Sequence, residues 1–268
     1  MSASASQFLT FLLFLGTAAC PERAPLKLLT TQLPPDFPSL LRLADDVVGP
    51  DKDLPHLLRV LAAARRAVEL EPRHPGALWR AARAAYLVAD STTDKAEIER
   101  WADEGTRYAE RAVAADGQSV QAHYYLATNL GLVAYVRQMA ALSLVKRIAE
   151  AAKRAVDLAP DYDRGGPWRL LGLLYAKAPP WPTSIGDVEE GIRWLRQAVQ
   201  RFPDEPLNRL FLAEALITEK HFDEAETELK LVLAAPPKDD WARVGPRWRR
   251  HAKQLLRRIA VARHHGDE

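Results

Sequence analysis

The chain has 268 residues, 48% of them hydrophobic and 27% charged, so it is long enough to bury a continuous core. Its formal net charge is +2 at pH 7, which gives no general attraction to nucleic acid. The single cysteine excludes a disulfide within the chain. No apolar run reaches the roughly 18 residues that a membrane-spanning helix needs, so the sequence predicts none.

The first twenty residues are typical of an export signal. Residues 8–15 form a short apolar run, and the small residues 16–19 lie between it and Cys20. This order resembles the signal of bacterial lipoproteins, in which the cysteine becomes the first mature residue and carries lipid. The resemblance predicts a signal peptide over residues 1–19 and a lipid anchor on Cys20. Thr17 stands where lipoproteins usually have Leu, and no Lys or Arg precedes the run. An ordinary secretory signal, or the start of a cytosolic helix, is therefore the alternative.

Residues 20–54 are rich in proline and acidic residues. We expect a tether there, with one short helix over about residues 39–48. From residue 55 to residue 265 the chain is rich in Ala, Leu and Arg and poor in Gly, which favours helix. This segment is the predicted helical-repeat domain.

One motif indicates the kind of helical repeat. Trp168, Leu171, Gly172 and Tyr175 have the spacing W-x2-L-G-x2-Y, which opens a tetratricopeptide repeat (TPR). The Trp, Leu and Tyr fall on one face of a helix, which favours packing over a ligand cage. At Gly172 a second helix is expected to come close, because a side chain there would hold the two helices apart.

A better-formed repeat runs from Pro206 to Asp239. When Pro206 is position 1 of the roughly 34-residue unit, the signature positions are occupied by Leu212, Ala213, Ala225, Leu229 and Pro237. The two alanines let the helices approach closely, and the two leucines fill the space around them. Pro237 cannot continue the second helix and stops it.

Weaker hairpins precede these repeats, and their helix-ending signals recur 44 residues apart, which implies longer helices or loops. A proline loop over residues 178–186 delays the second helix of the Trp168 repeat, and Asp187 with Glu190 forms a capping-box pattern after it. The sequence thus predicts an all-α, TPR-like α-solenoid of about ten to eleven antiparallel helices, ending in a capping helix over residues 245–263.

The order of segments between residues 123 and 237 resembles a known family. HYYLATNLG at 123–131 opens a small-residue helix, and LAP at 158–160 ends the next. YDRGGP at 162–167 precedes the Trp-Leu-Gly helix, and SIGD at 184–187 follows the proline loop. This order is similar to that of TatT, the T component of TRAP transporters, in which a TPR-like lipoprotein works beside a periplasmic substrate-binding protein. The resemblance implies a protein partner of that kind, a homo-oligomer and a passage for a small-molecule ligand.

No catalytic motif is present: the chain lacks a Gly-rich phosphate loop, a G-x-S-x-G elbow and an H-E-x-x-H pair. We therefore expect a binding protein that is not an enzyme and that needs no cofactor and no metal. One candidate contact is Trp181, held between prolines, although it could instead tuck onto its own hairpin. The polar candidates on the first helices of the hairpins are Tyr124, Asn129, Arg137, Arg169 and Arg209, with a solvated face as the alternative.

The last helix carries an unusual charge pattern. Between Trp241 and His265 there are seven Arg, one Lys and no acidic residue. A capping helix with a wet outer face would have this pattern. Contact with anionic lipid headgroups or with an acidic partner is the alternative.

Taken together, these patterns predict an exported, lipid-anchored TPR binding protein in the cell envelope, facing the periplasm from the outer membrane. The leading hypothesis is a TatT-like accessory component that binds a periplasmic solute-binding protein. The alternative is a pilotin-like scaffold that helps to assemble an envelope complex, its groove holding a segment of the partner. A soluble, secreted protein is the alternative for location.

Overall fold

The computed structural model describes residues 33–138 and 141–264, and Cys20 with the predicted signal peptide lies outside them. Within these residues the secondary structure consists of eleven α-helices and one 3₁₀ turn, with no β-strand. The predicted all-α, TPR-like fold class is confirmed. None of the helices in this part of the chain has the length and apolar character needed to cross a membrane. The helices are α1 (Phe37–Ala44), α2 (Leu54–Leu70), α3 (Pro75–Asp90), α4 (Lys95–Ala115), α5 (Val120–Val136), α6 (Ala141–Leu158), α7 (Gly166–Lys177), α8 (Val188–Arg201), α9 (Pro206–Thr218), α10 (Phe222–Ala234) and α11 (Asp239–His264).

Short polar side chains start many of these helices. Asp36, Asp53 and Ser119 each accept a hydrogen bond from a backbone N–H of the first turn of their helix. Asp187 does the same for α8: its carboxylate accepts from the backbone N–H of Glu190 at 2.9 Å. The helix therefore begins where the capping-box pattern places it.

The described residues divide into two compact units, and the first comprises residues 33–138 and 141–158. It contains the successive pairs α1–α2, α3–α4 and α5–α6, each packed as a hairpin. The short helix that the sequence analysis placed in the tether belongs to this unit. Leu40 and Ala44 of α1 are buried in one cluster with residues of α2 and α3, so α1 packs as part of this unit, and it ends at Ala44 rather than near residue 48.

A buried amide joins three helices of this first unit. Asn129 of α5 is fully buried, and its Nδ2 donates to the carbonyl oxygen of Ala82 in α3 at 3.1 Å. The amide lies against Gly105 of α4, where a Cβ would come within 2.1 Å of Asn129 Oδ1. Gly105 therefore provides the space that Asn129 occupies.

The second unit comprises residues 159–264 and contains the pairs α7–α8 and α9–α10, followed by α11. Helices α7 and α8 come closest at Gly172 and Gly191. A Cβ on Gly172 would lie 2.4 Å from Leu195 Cγ, and one on Gly191 would lie 2.7 Å from the carbonyl oxygen of Gly172. Neither position has room for a side chain, so the two glycines set the distance between these helices.

The last helix is longer than the sequence indicates. It begins at Asp239 rather than at residue 245, and Pro246 lies inside it. A proline inside a helix removes one backbone hydrogen bond, which is why the sequence favours a start beside it. The packing of α11 against α9 and α10 offsets this loss: Trp241, Leu255 and Ile259 are buried.

Ion pairs tie each hairpin to the next in both units. Most of them join residues about one repeat apart in sequence, between 34 and 41 residues. In the first unit Arg65 of α2 holds Glu104 of α4 at 2.6 Å. In the second, Arg263 Nη1 of α11 lies 2.8 Å from Glu226 Oε2 of α10. Because most of these pairs are solvent-exposed, each contributes less than about 1 kcal/mol, and their effect is to fix the register of neighbouring hairpins.

We predict that Gly172→Ala destabilises the protein, because the new methyl group would lie 2.9 Å from the carbonyl oxygen of Gly191 as well as against Leu195. Overpacking of this kind costs about 1–3 kcal/mol. Gly131→Ala is the matched control, since a Cβ there meets nothing within 4 Å. It should stabilise helix α5 by about 0.5–1 kcal/mol. Urea unfolding measures both changes, and equal effects of the two variants would contradict the assigned helix contact.

Candidate functional site

In the second unit, the first helices of the hairpins lie side by side, with α9 in contact with both α7 and α11. Their shared surface holds a buried charge cluster, the Glu214 cluster, which consists of Lys177, Glu214 and His251. Glu214 Oε2 lies 3.1 Å from Lys177 Nζ, and Glu214 Oε1 lies 2.5 Å from His251 Nε2. The side chains of Glu214 and His251 are only 4% and 6% exposed. One carboxylate therefore connects three helices.

Aromatic rings extend the Glu214 cluster along α9 and α11. Phe211 and Trp248 meet edge to face with ring centroids 5.7 Å apart, and Trp248 also contacts His251. The guanidinium of Arg247 lies 4.5 Å from the Trp248 ring. The Phe211–Trp248 contact joins α9 to α11, while Arg247 and His251 pack on Trp248 within α11 itself.

The first unit has an aromatic cluster in the equivalent position, on α3 and α5. The rings of Trp79 and Tyr125 are stacked with centroids 6.5 Å apart, and the rings of Tyr86 and Tyr124 also contact Tyr125. The guanidinium of Arg80 lies 4.2 Å from the Trp79 ring. These rings join two neighbouring first helices, as the Glu214 cluster does in the other unit.

Asp45, directly after α1, binds two arginines of α3 beside these rings. Its carboxylate accepts hydrogen bonds from Arg80 Nη2 and Arg83 Nη2, both at 2.7 Å. Burial raises the pKa of Asp45, but the hydrogen bonds and charges of the two arginines outweigh it and hold the pKa below its ordinary value. Because the folded-state pKa is lowered, the stabilisation is present at neutral pH and is lost as the pH falls through that pKa.

The proline loop between α7 and α8 presents a different kind of surface. Trp181 is 84% exposed, and Ile185, four residues later in the same loop, is also exposed. The backbone of the loop is closed by hydrogen bonds from Gly186 N to the oxygen of Pro179 and from Asp187 N to the oxygen of Tyr175, both 2.9 Å. The Trp181 loop, residues 178–186, is thus an ordered backbone that carries a solvent-exposed indole.

The repeat-signature residues lie in or beside the cores of their hairpins. Trp168 and Tyr175 are half-buried, while Pro237 is exposed after the end of α10. The others are buried: Leu171, Gly172, Leu212, Ala213, Ala225 and Leu229.

The polar residues proposed for a groove are mostly occupied within the fold. Asn129, Tyr124 and Arg169 are buried, so they do not line an open groove. Arg169 Nη1 donates to Asn208 Oδ1 at 2.7 Å, and its other nitrogen binds Asp163. Arg209 is paired with Glu228 at 2.7 Å.

Arg137 is about half exposed but is paired with Glu99 and Asp103 of α4. The hydrogen bond that Arg137 donates to Glu99 raises the pKa of Arg137 further, so it remains a cation.

The Glu214 cluster could not be predicted from the sequence. Its members lie 37 residues apart on three helices, and no local motif connects them.

No group of three or more His, Cys, Asp or Glu side chains suited to a metal ion occurs in residues 33–138 and 141–264.

Comparison with known families supports the repeat fold. Residues 186–244 match a family model described as tetratricopeptide repeat. Residues 50–175 match the model of the regulator of microtubule dynamics proteins 1–3. A search of curated proteins gives no match.

Two solved structures show the same fold at low sequence identity. The thermophilic TPR protein TTC0263 of Thermus thermophilus is 20% identical, with a TM-score of 0.61 over 82% of this chain and 99% of that one. PilF of Pseudomonas aeruginosa is 13% identical, with a TM-score of 0.52 over 84% of this chain and 89% of that one. The paired helices, the signature residues and these likenesses define a TPR-like helical-repeat fold.

We predict that Glu214→Ala destabilises the second unit by about 3 kcal/mol, because it removes the buried carboxylate that both Lys177 and His251 contact. The control is Glu224→Ala, which breaks an exposed pair with Arg196 and should cost less than about 1 kcal/mol. Urea unfolding at neutral pH compares the two variants. Loss of the same small free energy in both would show that the Glu214 cluster does not hold the helices together.

Proposed function

We propose that this chain is an exported TPR protein, held at a membrane by lipid on Cys20, that binds a protein partner through the Trp181 loop. The observation that carries the proposal is the exposure of Trp181 on a backbone that is already ordered. Tryptophan side chains are normally buried for most of their surface, so an exposed indole is unusual. Tryptophan is also one of the residue types enriched among binding hot spots.

The loop is suited to contact because it loses little freedom on binding. Prolines at 179, 180 and 182 restrict the backbone, and Thr183 N and Ser184 N both donate to the oxygen of Pro180. A preorganised surface retains more of its contact energy as affinity. The loop also carries no charged residue between positions 178 and 186, so apolar contact would dominate.

The partner that we propose is a periplasmic solute-binding protein, in a role like that of TatT. Support comes from the resemblance over residues 123–237, which includes the Trp181 loop itself. The lipoprotein pattern at Cys20 supports a location in the cell envelope, facing the periplasm. In the alternative role, a scaffold for an envelope complex, the same loop would bind a structural component of that complex.

Cys20→Ser tests the anchor. The lipid is the membrane attachment in this proposal, so the variant should move from the membrane fraction to the soluble periplasmic fraction. Fractionation and mass measurement of the mature chain provide the readout. A variant that stays fully membrane-bound, or a wild-type chain without lipid mass, would contradict the lipid anchor.

Trp181→Ala tests the contact surface. It should leave the unfolding free energy unchanged, because the indole is exposed, and weaken binding to a periplasmic solute-binding protein that co-purifies with the chain at least tenfold, or about 1.4 kcal/mol. The control is Leu231→Ala on α10, whose side chain is also exposed, at 44%. Binding is measured by calorimetry or surface plasmon resonance.

Three outcomes separate the roles. Loss of affinity in Trp181→Ala alone supports the TatT-like role. Binding of an envelope-complex component, with none of a solute-binding protein, would replace that role with the scaffold. Equal affinities of wild type and Trp181→Ala for every partner found would reject the loop as the contact.

A further inference from the structure

The outer face of α11 gathers cations that have no acidic partners. Arg250, Lys253, Arg257 and Arg258 are all exposed. None of them has a carboxylate within 4 Å among the described residues, whereas arginines on the other helices commonly do. The sequence contains no Asp or Glu between residues 241 and 264. We call these four residues the α11 basic face.

Position along the helix places these cations in a row. Arg250, Lys253 and Arg257 are separated by three and four residues, so they share one side of α11 and span about 10 Å at 1.5 Å per residue. Val261 follows four residues later and is 56% exposed. An apolar side chain therefore continues the line of positive charge.

The α11 basic face points to solvent because the opposite side of the helix is buried. Ala252, Leu255 and Ile259 are buried, and Trp241 is buried near the start of the helix. Arg263, near the end, is used internally because it pairs with Asp223 and Glu226 of α10. The internally paired cation and the unpaired ones therefore lie on different sides of the same helix.

We propose that the α11 basic face binds the surface of an anionic lipid bilayer. Flexible cations in a row match a dense array of phosphates and need no fixed geometry, and the exposed Val261 suits the boundary between headgroups and acyl chains. An acidic protein patch would be the other complementary surface. The bilayer is favoured because the proposed lipid on Cys20 would already hold the chain at a membrane, so this inference rests in part on the proposed function. A second, weak attachment would then restrict how the repeats face the periplasm.

The test uses the full chain with Cys20→Ser in every sample, so that the lipid anchor cannot contribute. Co-sedimentation is measured with neutral phosphatidylcholine vesicles and with vesicles that contain phosphatidylglycerol, at low and high salt. The variant Arg250→Glu/Arg257→Glu reverses two cations of the face. The matched control, Lys146→Glu/Lys230→Glu, makes the same change in net charge at two exposed lysines on α6 and α10.

The reference chain carries Cys20→Ser alone. We expect it and the lysine control to bind phosphatidylglycerol vesicles in a salt-sensitive way, and we expect Arg250→Glu/Arg257→Glu to bind at least tenfold more weakly. Circular dichroism checks that all three are folded. Equal binding by the two charge-reversal variants would show that any loss of positive charge weakens binding. Absence of salt-sensitive binding by the reference chain would favour an acidic protein, rather than a bilayer, as the partner of the α11 basic face. Either result overturns this proposal, while the Cys20 and Trp181 proposals are tested separately.

Discussion

Close approach between paired helices is the constraint on which the rest of this structure depends. Gly172 and Gly191 leave no room for a Cβ between α7 and α8, and Gly105 leaves only enough for the amide of Asn129. A helix buries its apolar stripe by packing closely against a neighbouring helix, so the small residues that permit close approach are needed for the core to form. Each hairpin still leaves an apolar face that the next hairpin covers, which is why the repeats stack within each unit.

Polar side chains then decide the register of the stacked hairpins. Arginines reach carboxylates about one repeat away, and in the second unit the buried Glu214 holds Lys177 and His251. Among the polar groove candidates, Arg169, Arg209 and Arg137 are used for internal ties of this kind. The indole of Trp181 and the α11 basic face take no part in these ties. They are therefore the places where we locate contact with a partner and with a membrane.

Features that depend on neighbours in sequence could be predicted, and those that depend on distant residues could not. The W-x2-L-G-x2-Y spacing identified the Gly172 repeat, and Asp187 marked the start of α8, because helix periodicity and capping act within one or two turns. From the sequence, Asn129 and Arg169 are candidates for a groove or for a solvated face, and the structure buries both. Their burial is set by residues 47 and 39 positions away, Ala82 and Asn208, which no local pattern reveals. The exposure of Trp181 could not be decided from the sequence for the same reason.

Hydrogen exchange on the Gly172→Ala variant tests the central claim most directly, because it reports the pairing of helices residue by residue. If Gly172 sets the contact between α7 and α8, the added methyl group should speed amide exchange along both Gly166–Lys177 and Val188–Arg201. Faster exchange confined to the turn around residue 172, with α8 unchanged, would contradict the close approach of the two helices.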